Sequence, residues 1–341
     1  MHNSAFKIVN AEPLPEDEIA RRRKYIPSEF KLFAPSTNEK EELKELIADA
    51  DFLMVSRREI DKEVIHAGRK LLLIQSLRAD IRNIDVEAAK AAGIPVATLR
   101  LLHYPGVAEH TILLMLALAK RLIPSYTSVT SGHNPKSLKP ERTSAQKIAY
   151  NWTEIKGITY LFGRTLGIIG LGAIGSEVAK RAHAFEMKIL YYQRHRITEK
   201  EEKSLNVTYT NLDKLLAKSD FVSLHLPYTS ETEKLIGKRE LALMKPTAFL
   251  INTARGNVVD EAALYEALRE KRIRGVGLDV FSEEPILPPN PLLTLDNVVL
   301  TPHLASGFDS ITTSMNYYYS KYFENILRVA RGERPLDHLE P

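Results

Sequence analysis

Residues 165–182 read TLGIIGLGAIGSEVAKRA, and this stretch decides the fold. A short apolar strand runs directly into Gly170, Gly172 and Gly175, which form a G-x-G-x-x-G motif, and a helical sequence follows. In this setting Gly170 permits a tight turn, Gly172 lets the backbone approach a pyrophosphate, and Gly175 allows close packing of helix on strand. The N-terminus of the helix then offers free N–H groups to phosphates. The stretch therefore predicts a dinucleotide-binding β-α-β unit.

On both sides of this motif, short apolar runs alternate with amphipathic helical stretches, which is typical of β-α-β units in mostly parallel sheets. The alternation covers about 100 residues at the start of the chain and resumes from Arg164 to about Leu300. The predicted strands of the first region are Phe6–Asn10, Phe30–Ala34, Phe52–Val55, Leu71–Gln75 and Pro95–Thr98, and those of the second are Thr165–Ile169, Lys188–Tyr192, Phe221–Leu224, Ala248–Asn252 and Gly275–Asp279.

The chain is predicted to form an α/β protein with two doubly wound parallel-sheet domains. A Rossmann cofactor domain, residues 106–305, is inserted in a flavodoxin-like substrate domain, residues 1–105 and 306–341. One long apolar helix, Val107–Leu122, is expected to end at Pro124, and Pro124–Gly163 is interpreted as a polar, irregular connection. This helix and a final helix, Asp309–Arg331, are expected to link the domains through a hinge that lets a cleft close.

Composition excludes several classes of function. Lys and Arg exceed Asp and Glu by only four charges, and the basic residues lack aromatic interleaving, so no nucleic-acid partner is expected. The chain has no cysteine, which excludes disulfides, iron–sulfur clusters and thiol nucleophiles, and no spacing of metal ligands is visible. No secretory signal or membrane span is apparent, and a cytoplasmic location is expected. Charge runs such as Glu199–Lys203 are interpreted as solvated helix faces.

The residues after the second strand of the glycine-motif unit select the cofactor. About 20 residues beyond the motif, an acidic side chain would bind the ribose 2′-OH of NAD, but Gln193 occupies that position. Arg194, His195 and Arg196 follow it. A neutral residue beside arginines attracts a 2′-phosphate, which a carboxylate would repel. The sequence therefore predicts a preference for NADP(H), with NAD(H) possible.

Three further segments carry the chemistry. Residues 250–268, LINTARGNVVDEAALYEAL, place Arg255 between a strand and a helix; residues 275–285, GVGLDVFSEEP, place Glu284 before a proline; and residues 297–307, NVVLTPHLASG, lead to His303. With the glycine motif, these segments resemble those of the D-isomer-specific 2-hydroxyacid dehydrogenase family, in its NADP-preferring, glyoxylate/hydroxypyruvate reductase-like branch. The resemblance covers nearly the full chain.

The resemblance implies an active site of Arg255, Glu284 and His303, and the chemistry of these residues fits those roles. Arg255 is a permanently charged fork that can hold a carboxylate and a carbonyl together. His303 can deliver a proton to the carbonyl oxygen or remove it in the reverse direction. Glu284, hydrogen-bonded to His303, would orient the imidazole and favour its protonated form.

The resemblance also implies the cofactor contacts. The expected cofactor-binding residues are Gly170, Gly172, Ala173, Ile174, Gly175, Gln193, Arg194, His195, Arg196, His225, Leu226, Pro227, Thr232, Thr253, Ala254, Arg255, Asp279 and His303.

The substrate loop departs from the family. The family's G-x-G-x-D-N-I-D stretch, whose amides hold the substrate carboxylate, is here replaced at residues 78–82 by Arg-Ala-Asp-Ile-Arg. Loss of both glycines removes access to positive φ, so the loop path is expected to differ. The expected substrate contacts are Arg78, Ala79, Asp80, His103 and Arg255.

The sequence thus predicts an oxidoreductase that transfers hydride between NADP(H) and a 2-keto acid/D-2-hydroxy acid pair, and the resemblance implies a homodimer formed through the cofactor domain. Which acid it takes is left open by the altered loop, because a fold does not decide a substrate. Two alternatives stay open. One is a relative acting on a formate- or phosphite-like substrate, and the other is a dinucleotide-sensing, corepressor-like binding protein.

Overall fold

The chain divides into two compact units, Met1–Leu102 with Gly307–Pro341 and His103–Ser306, in a computed structural model. The structure describes residues 5–78, 81, 83–99, 103–307, 311–336 and 338–339, and gives no side chains for residues 103, 311–315, 338 and 339. The sequence-based boundaries were 105/106 and 305/306, within three residues of these.

The first unit is a parallel sheet with helices and one antiparallel edge strand. Its strand order is β13-β5-β4-β3-β1-β2, in which β1 to β5 follow the flavodoxin-like order and β13 pairs antiparallel with β5. The elements are β1 Phe6–Asn10, α1 Glu16–Arg23, β2 Phe30–Phe33, α2 Lys40–Ile47, β3 Phe52–Val55, α3 Lys62–Ala67, β4 Leu73–Ser76, α4 Val86–Ala91, β5 Val96–Ala97, α12 Ile311–Ala330 and β13 His338–Leu339.

The second unit is a seven-stranded parallel sheet. Its order is β12-β11-β10-β9-β6-β7-β8, which contains the doubly wound dinucleotide-binding order. The elements are α5 His103–Ala119, α6 Leu122–Thr130, β6 Thr165–Ile169, α7 Ala173–His183, β7 Lys188–Tyr192, α8 Glu199–Leu205, β8 Thr208–Tyr209, α9 Leu212–Lys218, β9 Phe221–Leu224, α10 Lys238–Leu243, β10 Phe249–Asn252, α11 Glu261–Arg269, β11 Gly275–Leu278 and β12 Val298–Leu300. The predicted fold class, a Rossmann domain inserted in a flavodoxin-like one, is confirmed.

The local sequence explains how these elements begin and where the core lies. The Asp85 and Asp260 carboxylates accept hydrogen bonds from the backbone amides of Ala88 and Ala263, which caps α4 and α11. The strands β3, β9, β10 and β11 are buried throughout, because helices cover both faces of a parallel sheet. Helix α5 lies in the core of the second unit.

The prediction of one helix ending at Pro124 is wrong. Helix α5 ends at Ala119, Arg121 adopts a left-handed conformation with φ of 54°, and α6 then begins at Leu122. Pro124 lies in the first turn of α6, where a proline is tolerated because the N–H it lacks would have no partner in the helix. Among the described residues no single helix is long and apolar enough to cross a bilayer; Tyr104–Ala119 and Leu122–Thr130 reach that length only together, and they are bent by 61°.

Candidate active site

The sheet of the second unit gathers the predicted site residues along one edge. Strands β6, β9, β10, β11 and β12 run parallel, so their carboxyl ends meet at the same edge. The glycine motif follows β6, Arg255 follows β10, Glu284 follows β11 and His303 follows β12. Ligands of such sheets bind at this edge, close to the point where the strand order reverses.

His303 and Glu284 form a hydrogen-bonded pair. The Nδ1 atom of His303 lies 2.7 Å from Oε2 of Glu284, and the other carboxylate oxygen accepts the backbone N–H of Phe281 at 3.0 Å. A carboxylate accepts and does not donate, so Nδ1 of His303 carries a proton. The Nε2 atom is consequently the one that can exchange a proton with a ligand. His303 has φ of 54°, a left-handed conformation that a non-glycine residue holds only where its surroundings fix it.

The carboxyl group of Glu284 is kept ionised by its neighbours. Burial by itself raises the pKa of Glu284, but hydrogen bonds from His303 and from the Phe281 amide, with the positive charges of His303 and Arg255, lower the pKa below its ordinary value. The net lowering means that the Glu284 carboxylate beside the imidazole is ionised at neutral pH.

Asp279 anchors the loop that carries His303. Its carboxylate is completely buried and accepts the Thr301 hydroxyl at 2.6 Å. It also accepts the backbone amides of Leu304 at 3.0 Å and Ala305 at 2.9 Å. The hydrogen bonds described for the Asp279 side chain are therefore with the His303 loop, His110 of α5 lies 3.4 Å from the same carboxylate, and the expected cofactor contact of Asp279 stays a prediction.

Arg255 is exposed just beyond β10. The side chain of Asn252 fixes the turn, since it donates to the carbonyl of Arg255 at 2.9 Å and accepts the amide of Ala254 at 3.0 Å. One guanidinium nitrogen of Arg255 donates to the carbonyl of Ala254, and within the described part of the chain Arg255 has no carboxylate within ion-pair distance. Its positive charge nevertheless reaches Glu284. The guanidinium is thus available to a carboxylate ligand.

The neighbouring Thr253 is buried, and its hydroxyl lies 3.0 Å from that of Thr111 on α5. Sequence reasoning missed Asn252, Thr111 and Thr301. The signal available for each was a polar residue inside an apolar run, which requires a hydrogen-bond partner when buried.

The glycine motif forms a close turn between β6 and α7. Gly170 has φ of 94°, and a Cβ atom there would lie 2.5 Å from the carbonyl oxygen of His225. At Gly175 a Cβ would lie 2.3 Å from the carbonyl oxygen of Gly170, whereas at Gly172 it would meet nothing within 4 Å. The space is open only at Gly172, and Ala173 then begins α7 without a side-chain cap on its first amides. This open, uncapped terminus fits the pyrophosphate of a dinucleotide.

The loop after β9 faces the glycine motif across the reversal of strand order. His225 begins it, and the His225 Nε2 atom lies 2.8 Å from the hydroxyl of Ser223; burial lowers the pKa of His225 to about 3, so the ring is neutral. Leu226 and Pro227 follow, and the hydroxyl of Thr232 holds the turn by donating to the Pro227 carbonyl at 2.7 Å.

Gln193 ties the end of β7 to the glycine motif. Its amide oxygen accepts the backbone N–H of Leu171 at 3.0 Å, and its amide nitrogen donates to the carbonyl of His195 at 2.7 Å. The sequence indicated only that no acid stands here. The structure adds that the Gln193 side chain positions the turn itself.

The two arginines that follow Gln193 in the sequence differ in their surroundings. Arg194 makes one ion pair, 3.3 Å from Glu231, and both side chains are more than 60% exposed. Arg196 is bound by two hydrogen bonds of 2.7 Å to Glu202, which also accepts the Tyr191 hydroxyl at 2.5 Å. The bond from Arg196 is the main reason that the pKa of Glu202 falls to about 2.

The interpretation of residues 199–203 as a wholly solvated face is therefore wrong at Glu202. The Glu202 side chain is buried because Arg196 and Tyr191 bind it.

The predicted substrate contacts are only partly described. Arg78 lies two residues beyond β4 in the first unit, half-buried, with its amide donating to the Ser76 hydroxyl at 3.2 Å. Ala79 and Asp80 lie outside the described residues, and His103 begins α5 without a described side chain.

Comparison with known proteins identifies the family. Residues 112–305 match the family model of the D-isomer specific 2-hydroxyacid dehydrogenase NAD binding domain. The chain is 42% identical to a glyoxylate reductase of Korarchaeum cryptofilum over 85% of this chain and 83% of that one. It is 39% identical to a D-3-phosphoglycerate dehydrogenase of Methanocaldococcus jannaschii over 96% of this chain and 58% of that one.

A solved structure is similar to this one over nearly the whole chain. The crystal structure of an acyclic imino acid reductase in complex with NADPH and D-Arg matches with a TM-score of 0.57 and 29% identity, covering 98% of this chain and 100% of that one. The family model and the identities of 39% and 42% are sufficient to assign the chain. It belongs to the D-isomer specific 2-hydroxyacid dehydrogenase family, and it is an oxidoreductase that transfers hydride between a nicotinamide dinucleotide and 2-hydroxy or 2-keto acids.

Proposed function

We propose that this enzyme reduces a 2-keto acid to the D-2-hydroxy acid, with NADPH preferred over NADH and with Arg255, Glu284 and His303 as its catalytic residues. The observation that carries the proposal is the His303–Glu284 pair, in which a 2.7 Å hydrogen bond at Nδ1 leaves Nε2 as the proton-exchanging atom. This pair lies at the same sheet edge as the glycine motif.

Each residue has one role in the reduction. Arg255, which has no carboxylate partner among the described residues, binds the carboxylate of the keto acid and orients its carbonyl. His303 gives the proton on Nε2 to the carbonyl oxygen as charge develops there. Glu284 holds the ring by accepting the hydrogen bond from the proton on Nδ1 of His303. When bound, the reduced nicotinamide supplies the hydride.

The preference for NADPH rests on Gln193 and Arg194. Gln193 places a neutral amide where an acid would repel a 2′-phosphate, and Arg194 is held only by an exposed pair with Glu231. Such exposed pairs contribute little, about 0.2–1 kcal/mol, so Arg194 can exchange Glu231 for a phosphate. Arg196 is bound to Glu202 and supports the loop that carries Arg194. The NADPH complex of the imino acid reductase supports the proposal, and the name of the family model keeps NADH as a second cofactor.

Glyoxylate is the first substrate to test, because relatives such as the Korarchaeum cryptofilum protein carry the name glyoxylate reductase. Arg78 is a proposed substrate contact, and it provides a positive charge at the carboxyl end of β4, in the first unit.

The experiment is a set of initial rates with NADPH and NADH in parallel. The acids are glyoxylate, hydroxypyruvate, phosphohydroxypyruvate, pyruvate and phenylpyruvate, with formate and phosphite assayed in the oxidative direction. We expect turnover of at least one keto acid, faster with NADPH at subsaturating cofactor. Turnover of formate or phosphite alone, or tight NADPH binding with no turnover of any acid, would contradict the proposal.

We also propose that two copies pair through the segment 122–162. Five of its large side chains are more than 60% exposed, and a concentration of exposed apolar and aromatic side chains in one segment favours an interface. These side chains are Tyr126, Ile148, Tyr150, Tyr160 and Phe162.

Light scattering after size exclusion tests the pairing. The wild type should show twice the 38.5 kDa of one chain. The double variant I148E/Y150E should shift towards the monomer. Leu72→Glu, at an exposed apolar residue of the first unit, should leave the mass unchanged. A monomeric wild type would refute the pairing.

A further inference from the structure

We propose that His110, on helix α5, is a positioning residue that holds His303 in its reactive geometry through Thr301 and Asp279. This inference rests on the proposed role of His303. His110 is 7% exposed, and the mechanism above does not use it. Its Nε2 atom lies 2.9 Å from the hydroxyl oxygen of Thr301 and 3.4 Å from one carboxylate oxygen of Asp279.

The direction of the hydrogen bonds follows from counting protons. The Thr301 hydroxyl lies 2.6 Å from Asp279 and donates its single proton to that carboxylate, which can only accept. The Thr301 oxygen must then accept from His110, so His110 carries its proton on Nε2. Burial lowers the pKa of His110 by more than the charge of Asp279 raises it, in agreement with a neutral ring. The chain of donors therefore runs from His110 to Thr301 to Asp279.

These hydrogen bonds fix the backbone on both sides of His303. Thr301 lies two residues before it, and the amides of Leu304 and Ala305, directly after it, donate to the same Asp279 carboxylate. Between these anchors His303 keeps its left-handed backbone conformation. The contact from α5 thereby orients the imidazole that meets the substrate, although His110 lies outside the reacting atoms.

Thr111, next to His110 on α5, contacts the loop that carries Arg255. The Thr111 hydroxyl donates to the Val107 carbonyl at 2.8 Å and therefore accepts from Thr253, two residues before Arg255. One helix thus contacts the loops of both His303 and Arg255. A displacement of about 1 Å in such a loop can reduce turnover by about a hundredfold.

The test compares removal and restoration of the donor. His110→Leu removes it, and His110→Gln places an amide N–H near the original Nε2. Thr301→Val removes the relay hydroxyl, and Thr301→Ser keeps it. His183→Leu is the matched control, because His183 bonds the Leu205 carbonyl at 2.8 Å in the same unit, away from the catalytic loops. The measurements are kcat, KM for the keto acid, the NADPH dissociation constant, Tm, and the isotope effect with NADPH deuterated at the transferred position.

We expect H110L and T301V to lower kcat by about tenfold or more and to raise the isotope effect, because the chemical step becomes slower. The NADPH dissociation constant should stay within about twofold of the wild type. H110Q and T301S should recover most of the activity, and H183L should change Tm alone. Wild-type kcat and isotope effect in folded H110L or T301V, or no recovery in H110Q and T301S, would overturn the inference. If H110L fails to fold, the comparison of T301V with T301S tests the inference.

A readout without turnover separates this inference from the proposed function. In ¹⁵N-histidine spectra, the ring signals of His303, assigned by their loss in H303N, should shift in H110L and T301V and stay in H183L. An unchanged His303 signal in both variants refutes the inference. An inactive wild type with these shifts refutes the proposed reaction and leaves the positioning intact.

Discussion

Replacement of Arg194 by alanine should lower the preference for NADPH about tenfold. Arg194 is the only one of the two nearby arginines that is free to exchange its partner, since Arg196 is bound twice by Glu202. A charge-assisted hydrogen bond to a phosphate contributes about 1.5–3 kcal/mol. The Arg194 side chain is 62% exposed, so solvent screening favours the lower value, about 1.5 kcal/mol or roughly tenfold.

Glu231 provides the opposite perturbation. The exposed Arg194–Glu231 pair contributes about 0.2–1 kcal/mol, which NADPH must overcome to recruit Arg194. Glu231→Gln should therefore raise kcat/KM for NADPH by about 1.5- to 5-fold. Glu233→Gln is the control, because Glu233 lies two residues further in the same loop and has no ion pair among the described residues.

The assay is kcat/KM for NADPH and for NADH, with the keto acid held at saturation, for the wild type and the three variants. R194A should lose activity with NADPH and keep it with NADH. E231Q should gain with NADPH alone, and E233Q should resemble the wild type. Equal losses with both cofactors in R194A would refute the reasoning, as would identical effects of E231Q and E233Q.

The remaining predictions concern the reaction and the cofactor turn. Arg255→Ala should lower kcat/KM for the keto acid by at least about a hundredfold and leave NADPH binding nearly unchanged, because it removes the partner of the substrate carboxylate. Steady-state kinetics measure kcat/KM, and fluorescence titration measures NADPH binding. Parallel losses of both would contradict the proposed role of Arg255. The lowered pKa of Glu284 stabilises the folded state above the ordinary pKa of 4.5, and this contribution is lost as pH falls through the lower pKa of the folded state. The difference in Tm between the wild type and E284Q should therefore be largest at neutral pH and shrink below about pH 4.5. A constant difference in Tm from about pH 3 to 7 would contradict this. Gly172→Ala should keep the wild-type Tm and weaken NADPH binding, whereas Gly175→Ala should lower Tm, because only the Cβ at position 175 meets the backbone. Calorimetry measures Tm, and titration measures NADPH binding. Wild-type affinity for NADPH in G172A would show that no phosphate lies beside Gly172.

The elements that the sequence predicted well are those that depend on burial alone. The strands Thr165–Ile169 and Phe221–Leu224 have the predicted bounds, because largely apolar, buried runs between helices are what a doubly covered parallel sheet requires. The caps at Asp85 and Asp260 also have a local signal, since the partner of a capping carboxylate lies three residues away in sequence.

The features that sequence reasoning missed depend on partners distant in the chain. Glu202 is buried by Arg196 and Tyr191, and Asn325 of α12 donates to the amide oxygen of Gln75, 250 positions earlier. The two-residue strands β8 and β13 are too short for a periodic pattern to form. The left-handed backbone of His303 has no local signal either, because the groups that bind its loop, Asp279 after β11 and His110 on α5, are distant in sequence.

Gln193 shows what a sequence argument from the absence of a residue type leaves out. The sequence gives the absence of an acid, and absence alone would suit any neutral residue. In the structure the amide both accepts from Leu171 and donates to the carbonyl of His195. A carboxylate could accept the first bond but could not donate the second, so the neutral amide at this position also fixes the turn. Under the proposed preference for NADPH, cofactor selection and loop geometry are coupled at Gln193, and we expect cofactor preference to change through Arg194 without disturbing the turn.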